Sequence, residues 1–335
     1  MEESRKSRDL YFDTLKFLLI LLVVIGHTLE KFGRIETDSF SLGMYFTMYT
    51  FHMSLFVFIS GYFTSNDKQK GWKSIVKIAE TFIVFQLIRL CLSGDWSFID
   101  IITPKWTLWY LLSLICWRSI VILLPPPSKI SQKHKLLWFL FSIVLCILVG
   151  FIPIETEFSF QRTFNFFPFF LAGFFMKGTD SLYKIRKANH WIFAFLFISV
   201  SAFIYWYNKP LYGFLLFQNY DLQFQILPQI FLKIMILTIS VLMSLAILNL
   251  VSSLGHSVAK YGQKTLFIYI YHTFLIEILI NVFHLQEGYF SSLIYSLLIF
   301  ILLVALSHIV IMEKSLNPIF NSYKALKQSI LKRAR

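Results

Sequence analysis

Charge is what this sequence has least of: 15% of its 335 residues are Asp, Glu, Lys or Arg, where a soluble domain carries about 25%. A water-facing surface cannot be dressed from so little. Cysteine is scarcer still, and Cys91, Cys116 and Cys146 all stand inside apolar runs, so neither a disulfide framework nor a metal-ligand spacing arises. No Walker, dinucleotide-binding or HExxH motif occurs, and no repeat with a period of about 20 to 50 residues. Acidic side chains are few, 18 against 31 basic, which leaves a net charge of +13. The basic residues come in short clusters between apolar runs, a pattern that records which loops face the cytoplasm rather than a nucleic-acid partner. Disorder, collagen-like repeats, secreted disulfide scaffolds and nucleic-acid binding are all excluded.

Hydrophobic residues make up 57% of the chain, and the mean hydropathy is +0.66. Apolar runs long enough to approach the roughly 20 residues of a membrane span predict an all-α, polytopic membrane bundle of about ten helices. They lie near 12–29, 42–63, 78–92, 105–124, 136–152, 163–176, 191–207, 227–250, 265–284 and 290–312. The sixth is short for a span. Residues 1–312 form one transmembrane domain in this reading, and 313–335 a basic cytoplasmic tail.

An even count puts both termini on one side, where 22 of the 31 basic residues then fall; the outer segments hold 4. That imbalance predicts cytoplasmic termini. A cleaved leader is the competing reading of the start, but Asp13 and Lys16 interrupt its apolar run and no small-residue cleavage site follows Thr28, so the first helix is expected to stay. The longest outer segment, 208–226, is too short for a soluble domain. Chemistry is therefore expected within the membrane core or short loops.

An ionisable group in a spanning helix costs about 2.5–3.5 kcal/mol on insertion scales and faces a bundle interior or a watery cavity. Each one is thus a site candidate. Lys16 and His27 are 11 residues apart on the first helix, three turns plus about 20° and about 16 Å of rise, so they share a face. Asp13 and Glu30 fall near the same stripe. The bland alternative has Lys16 snorkelling onto Asp13 while His27 bonds a neighbouring helix. His52 lies midway along the second helix, Gln86 and Arg89 on the third, Arg162 and Asn165 at the outer start of the sixth, and Lys233 at that of the eighth. Glu277, Asn281 and His284 share a face of the ninth by spacing. Taken singly, Arg162, Lys233 and His284 read as interfacial anchors; together these groups suggest a polar cavity opening outward.

The segment Tyr11-Phe12-Asp13-Thr14-Leu15-Lys16, followed by an apolar run ending Gly26-His27, resembles the opening of the membrane acyltransferase family three: a basic residue, ten residues, then His. Lys16 stands where Arg is usual, a point charge in place of a fork. Phe51-His52-Met53-Ser54 with Ser60-Gly61-Tyr62-Phe63, Trp106-Thr107-Leu108-Trp109-Tyr110-Leu111, Arg162-Thr163-Phe164 with Phe167-Pro168, and Tyr269 with Tyr271-His272 are similar to the family branch of fucose 4-O-acetylases, which commonly has Pro at the place of Ser54. The resemblance covers essentially the whole chain, in order.

What it implies is acyl transfer from cytoplasmic acyl-CoA, acetyl-CoA in the first instance, to a hydroxyl of an extracytoplasmic cell-surface sugar, in the cytoplasmic membrane of a bacterium. His27 and Asp13 are assigned to catalysis; Lys16, Lys73 and Lys77 to the donor's phosphates; His52, Arg89, Arg162, Glu277 and His272 to the acceptor. No metal is expected. A neutral imidazole suits the residue chemistry independently, because O-acylation needs a base that titrates in the useful range. Some relatives carry an added SGNH-type esterase-like domain, for which this chain has no room, so a stand-alone enzyme is expected. Partners are acyl-CoA, a carbohydrate acceptor, membrane lipids and, in an oligomer, further copies of the chain; nucleic acid is not among them. Two rivals stay open: an exporter of lipid-linked sugars, which would show Gly/Pro-broken helices in matched halves, and a polyprenyl-phosphate glycosyltransferase using Glu36 and Asp38 or Asp95 and Asp100.

Overall fold

Apolar length decides where the chain becomes helical, and capping side chains mark the start of several of the helices. The computed structural model describes residues 9–33, 35, 38–65, 67–154, 157–207, 219–283 and 287–309. Expectations for Arg5, Lys6 and Arg8, Arg34, Glu36, Lys209, most of 208–226, His284 and the 313–335 tail fall outside them. The helices are α1 Leu10–Phe32, α2 Ser39–Phe63, α3 Lys68–Ser93, α4 Phe98–Ile102, α5 Trp109–Val121, α6 Gln132–Leu148, α7 Phe160–Met176, α8 Ser181–Lys187, α9 His190–Trp206, α10 Ile226–Leu250, α11 Thr265–Phe283 and α12 Tyr289–Leu306. Among the described residues there is no strand.

Every one of the ten apolar runs is helical. Six helices, α1, α2, α6, α10, α11 and α12, are long and apolar enough to cross a membrane, and the pair α8 and α9, bent by 88°, counts as a seventh. The other three fall short for visible reasons: α5 has 13 residues, α7 has 17 with Pro168 inside it, and α3 carries charge along its length. Helix α3 also corrects one expectation. The basic run 68–77 is no loop, because Asp67 caps the helix by accepting from the Lys70 N–H at 2.7 Å, and helical structure starts at Lys68. Lys73 and Lys77 therefore stand exposed on the first turns of a helix. Asp9 caps α1 in the same way, accepting from the Tyr11 N–H at 3.1 Å.

The chain divides into two units, 1–56 with 180–208 and 238–304, and 57–179 with 209–237 and 305–335. In the first, α1 is central: Leu15, Leu19, Ile20 and Val24 are fully buried, packed against α11 and the turn Tyr261–Lys264. Gly262 makes that approach possible, since a Cβ there would lie 1.8 Å from the Asp13 carbonyl oxygen. The Tyr11 hydroxyl donates to the Leu248 carbonyl at 2.7 Å, with the Arg186 guanidinium 3.9 Å above its ring. Asn249 ties α10 to the bend between α8 and α9, donating to the carbonyls of Ile185 (2.7 Å) and Ala188 (3.0 Å).

In the second unit α6 packs along α7, and α5 against α3 and α7. Trp117, fully buried, donates its indole N–H to the Thr163 carbonyl at 2.8 Å. The last turns of α2 meet α7 through two glycines placed reciprocally. A Cβ on Gly61 would come 2.0 Å from the Phe170 carbonyl oxygen, and one on Gly173 would come 1.9 Å from that of Phe58. Backbones this close are the small-residue packing of membrane helices, where dispersion replaces the hydrophobic drive.

Because both obstructions are backbone atoms, no rotamer relieves them. Gly61→Ala or Gly173→Ala is expected to destabilise the protein by about 1–3 kcal/mol, read as a lowered thermal unfolding midpoint in detergent. Gly255→Ala, where a Cβ would meet nothing within 4 Å, serves as the control and should leave the midpoint in place; equal effects at all three positions would refute the reciprocal contact.

Candidate functional site

Polar side chains on α1 are held at two depths. Near the start, Lys16 Nζ lies 2.6 Å from Asp13 Oδ1, the carboxylate almost wholly enclosed and the lysine partly open. The snorkelling contact is thus real. Eleven residues on, about 16 Å further along the axis, His27 Nδ1 lies 3.1 Å from Glu30 Oε2.

His27 does not stand alone. Its ring centroid is 5.3 Å from that of His272 on α11, tilted by 32°, and 6.4 Å from Tyr49 on α2, which meets it edge-on. Tyr49 in turn lies 4.8 Å from His52. Of the order His272, His27, Tyr49, His52, only the last step is local. Tyr49 and His52 are three residues apart on α2 and share a face. Gly26, beside His27, lets the Tyr49 ring approach, since a Cβ there would already be 3.1 Å from it. Nearby, Leu22, Ile25, Met44, Met48, Phe51 and Tyr205 line an apolar groove of about 570 Å³ in the same unit.

The three imidazoles are bonded differently. His52 Nδ1 is 2.6 Å from the Met48 carbonyl oxygen, and His272 Nδ1 is 3.1 Å from that of Ile268. A carbonyl only accepts, so Nδ1 carries the proton in both rings and Nε2 keeps the lone pair. His52 and His272 are buried. His27 turns its Nδ1 forward to a carboxylate that reaches solvent. That arrangement suits a base: a proton taken at Nε2 leaves an imidazolium beside a negative charge.

The other sequence-predicted residues are placed as follows. Glu277 is half-buried on α11, five residues beyond His272 and therefore off its face. In the second unit, Lys73 and Lys77 are exposed on α3, whereas Arg89 is buried with its guanidinium 5.6 Å from the Trp106 ring. Arg162 on α7 lies 5.2 Å from the Trp109 ring. Each arginine thus meets one tryptophan of the segment 106–111, a cation–π contact. Gln86 orders the approach to that segment, donating to the carbonyls of Asp100 (3.2 Å) and Thr103 (2.8 Å) and accepting from the Lys105 N–H (2.9 Å). Asp95 and Asp100, weighed above as a base or metal pair, are both engaged by Lys105 Nζ, at 3.3 and 2.8 Å. Hydrogen bonds from Lys105 and Ser97 hold the Asp100 carboxyl below its ordinary range. Asp38 is likewise held low by Ser41, whose hydroxyl and N–H both donate to it.

Sequence reasoning passed over Tyr49, although its spacing of three from His52 was the available signal. It also passed over a polar group at the start of α1, where Thr14 Oγ1 lies 3.3 Å from His256 Nδ1.

A family profile described as an acyltransferase domain matches residues 9–312. The nodulation protein NolL of Mesorhizobium japonicum is 28% identical over 220 residues, 59% of this chain and 56% of that protein. The nodulation protein NolL of Sinorhizobium fredii is 50% identical over 60 residues, 18% of this chain and 16% of that protein. The chain therefore spans about half the length of the first of these curated relatives and less of the second. No solved structure matches.

Asp13 is enclosed and Lys73 and Lys77 are open, which separates their effects on stability. Asp13→Asn should cost about 1–3 kcal/mol, the scale of a charge-assisted hydrogen bond lost at a buried site. Lys73→Ala and Lys77→Ala should change the thermal midpoint by no more than a surface substitution does, within about 0.5 kcal/mol. A stable Asp13→Asn protein would show that the 2.6 Å pair adds nothing to the fold.

Proposed function

The chain belongs to the acyltransferase domain family, whose profile spans residues 9–312, and on that premise we propose that it transfers an acyl group, acetyl in the first instance, from cytoplasmic acyl-CoA to a hydroxyl of a cell-surface sugar. The observation that carries this reading is the pairing of His27 with Glu30 beside His272 and Tyr49. His27 Nε2 takes the proton of the acceptor hydroxyl as its oxygen attacks the thioester carbonyl. The C–O bond forms, the C–S bond breaks, and the departing thiolate recovers the proton from the imidazolium. Glu30 fixes Nδ1 as a donor and balances the transient charge.

Lys16 in this reading meets the donor's phosphates, with the pantetheine arm running along the α1 face toward His27. Asp13, about 21 Å from His27 by helical rise, holds Lys16 and takes no part in the proton transfer. Lys73 and Lys77 supply further positive charge to the donor, from a helix rather than a loop. His52, Arg89, Arg162, Glu277 and His272 remain assigned to the acceptor. Ten crossings with cytoplasmic termini belong to the same proposal, supported by ten helical segments and by the 22 to 4 division of basic residues. The short helices α5 and α7 and the charged α3 then cross with help from their flanks.

His27→Ala is expected to lower acyl transfer by about 10²- to 10⁴-fold without loss of folded protein, whereas Glu30→Gln costs less. Lys16→Arg should keep most of the activity, and Lys16→Ala should raise KM for acetyl-CoA more than it lowers kcat. The measurement is acetyl transfer from labelled acetyl-CoA to cell-envelope glycans in membranes, with the increment located by mass spectrometry. Normal transfer by His27→Ala would return that ring to helix packing.

The topology has its own check. Cysteines introduced at the exposed positions Ser39 and Gln69 should label from opposite faces of intact cells. Labelling from one face at both would remove the ten-crossing arrangement.

A further inference from the structure

The second unit buries one amine that the reaction described above does not use. Lys233 stands two turns into α10, is 5% exposed, and among the described residues its Nζ has no hydrogen-bond partner. Among the described residues no carboxylate pairs with it. Its neighbour is the Tyr220 ring, whose centroid lies 5.1 Å from Nζ; the Cys146 thiol, in the same unit, donates its own proton to Asn165 Oδ1 at 3.1 Å. An enclosed ammonium without a counter-charge costs several kcal/mol, so a lysine there calls for something to bind.

A second orphan lies across the same stretch of chain. Gln161 on α7 commits its Nε2 to the carbonyls of Val149 (2.8 Å) and Ile152 (3.2 Å) and to Asn219 Oδ1. That fixes the amide's orientation and leaves its Oε1 buried with no partner among the described residues. The Tyr220 N–H donates to the Gly150 carbonyl at 2.8 Å, so segments 149–152 and 219–220 form one floor, with Gln161 bonded to it and Lys233 set against the ring that rises from it. Gly150 is needed for that ring, because a Cβ there would sit 2.5 Å from it. One buried donor with positive charge and one buried acceptor therefore flank Asn219 and Tyr220. Water satisfies both atoms but supplies no charge. A guest bearing an oxyanion and a hydroxyl satisfies both and supplies it.

We propose that Lys233 and Gln161 form a binding site for an anionic sugar, Lys233 taking its carboxylate or phosphate and Gln161 Oε1 accepting from one of its hydroxyls. The Tyr220 ring supplies an apolar wall. The step rests on the function proposed above for its choice of a carbohydrate guest, and the class it names is an acidic or phosphorylated sugar rather than a neutral one.

The test is binding without turnover. Full-length protein in a non-ionic detergent, with no acyl donor present, is titrated with glucuronate, glucose 6-phosphate, glucose and inorganic phosphate while its thermal midpoint is followed. At least one of the two anionic sugars should raise the midpoint and glucose should not. Lys233→Met should weaken the apparent affinity at least tenfold, and Lys233→Arg should keep part of the response. No response to either anionic sugar, or the same response in wild type and Lys233→Met, would overturn the site and leave Lys233 a packing residue with a bridging water. A full response to inorganic phosphate alone would overturn the Gln161 contact. Since no acyl group moves in this assay, its failure leaves the role of His27 untouched, and failure of the His27 variant test leaves this site untouched.

Discussion

A helix surrounded by hydrocarbon satisfies its own backbone, but each polar side chain it carries must find a partner within reach. That constraint organises this molecule. The simplest answer recurs throughout: a hydroxyl bonds back to the carbonyl one turn earlier, as Thr14 does to Leu10 (2.9 Å), Thr28 to Val24 (2.7 Å) and Thr64 to Ser60 (2.6 Å). His52 and His272 use the same device, which is why their rings lie where they do and why Nδ1 carries the proton in each. Lys16 and His27 instead reach along α1 to Asp13 and Glu30. The candidate site is built from these locally settled groups, brought together by packing that glycine makes possible.

Glycine acts here mainly through what it does not add. Gly26 admits Tyr49, Gly262 admits the turn Tyr261–Lys264 onto the Asp13 carbonyl, and Gly61 and Gly173 let two backbones touch. Without side chains to interlock, such contacts gain only from close fit, so each is unforgiving of a single extra methyl group.

Much of this was legible in the sequence because the membrane imposes a length and a hydropathy on every crossing. Each of the ten apolar runs contains a helix; Asp67 lengthens α3 back to Lys68, whereas α5 and α12 are shorter than their runs. The stripe on α1 was legible from the helical period, and His272 from its neighbours Tyr269 and Tyr271. Tertiary contacts were not. Nothing in the spacing of Arg89 or Arg162 announces that each would lie against a tryptophan, because cation–π pairing leaves no periodic trace. Lys233 read as an interfacial anchor, yet it is enclosed, since anchoring requires a path to water that the neighbours of α10 close off. The 88° bend between α8 and α9 likewise depends on Asn249, more than fifty residues downstream.

The differing bonds of the three imidazoles give the cluster a polarity. Two rings have spent Nδ1 on their own helices and are walled in, so a charge arriving on either has no direct route out. His27 alone among them opens through a carboxylate toward water. Among the described residues, the row His272, His27, Tyr49, His52 therefore meets water from its interior rather than from either end, through the one ring that faces an exposed carboxylate.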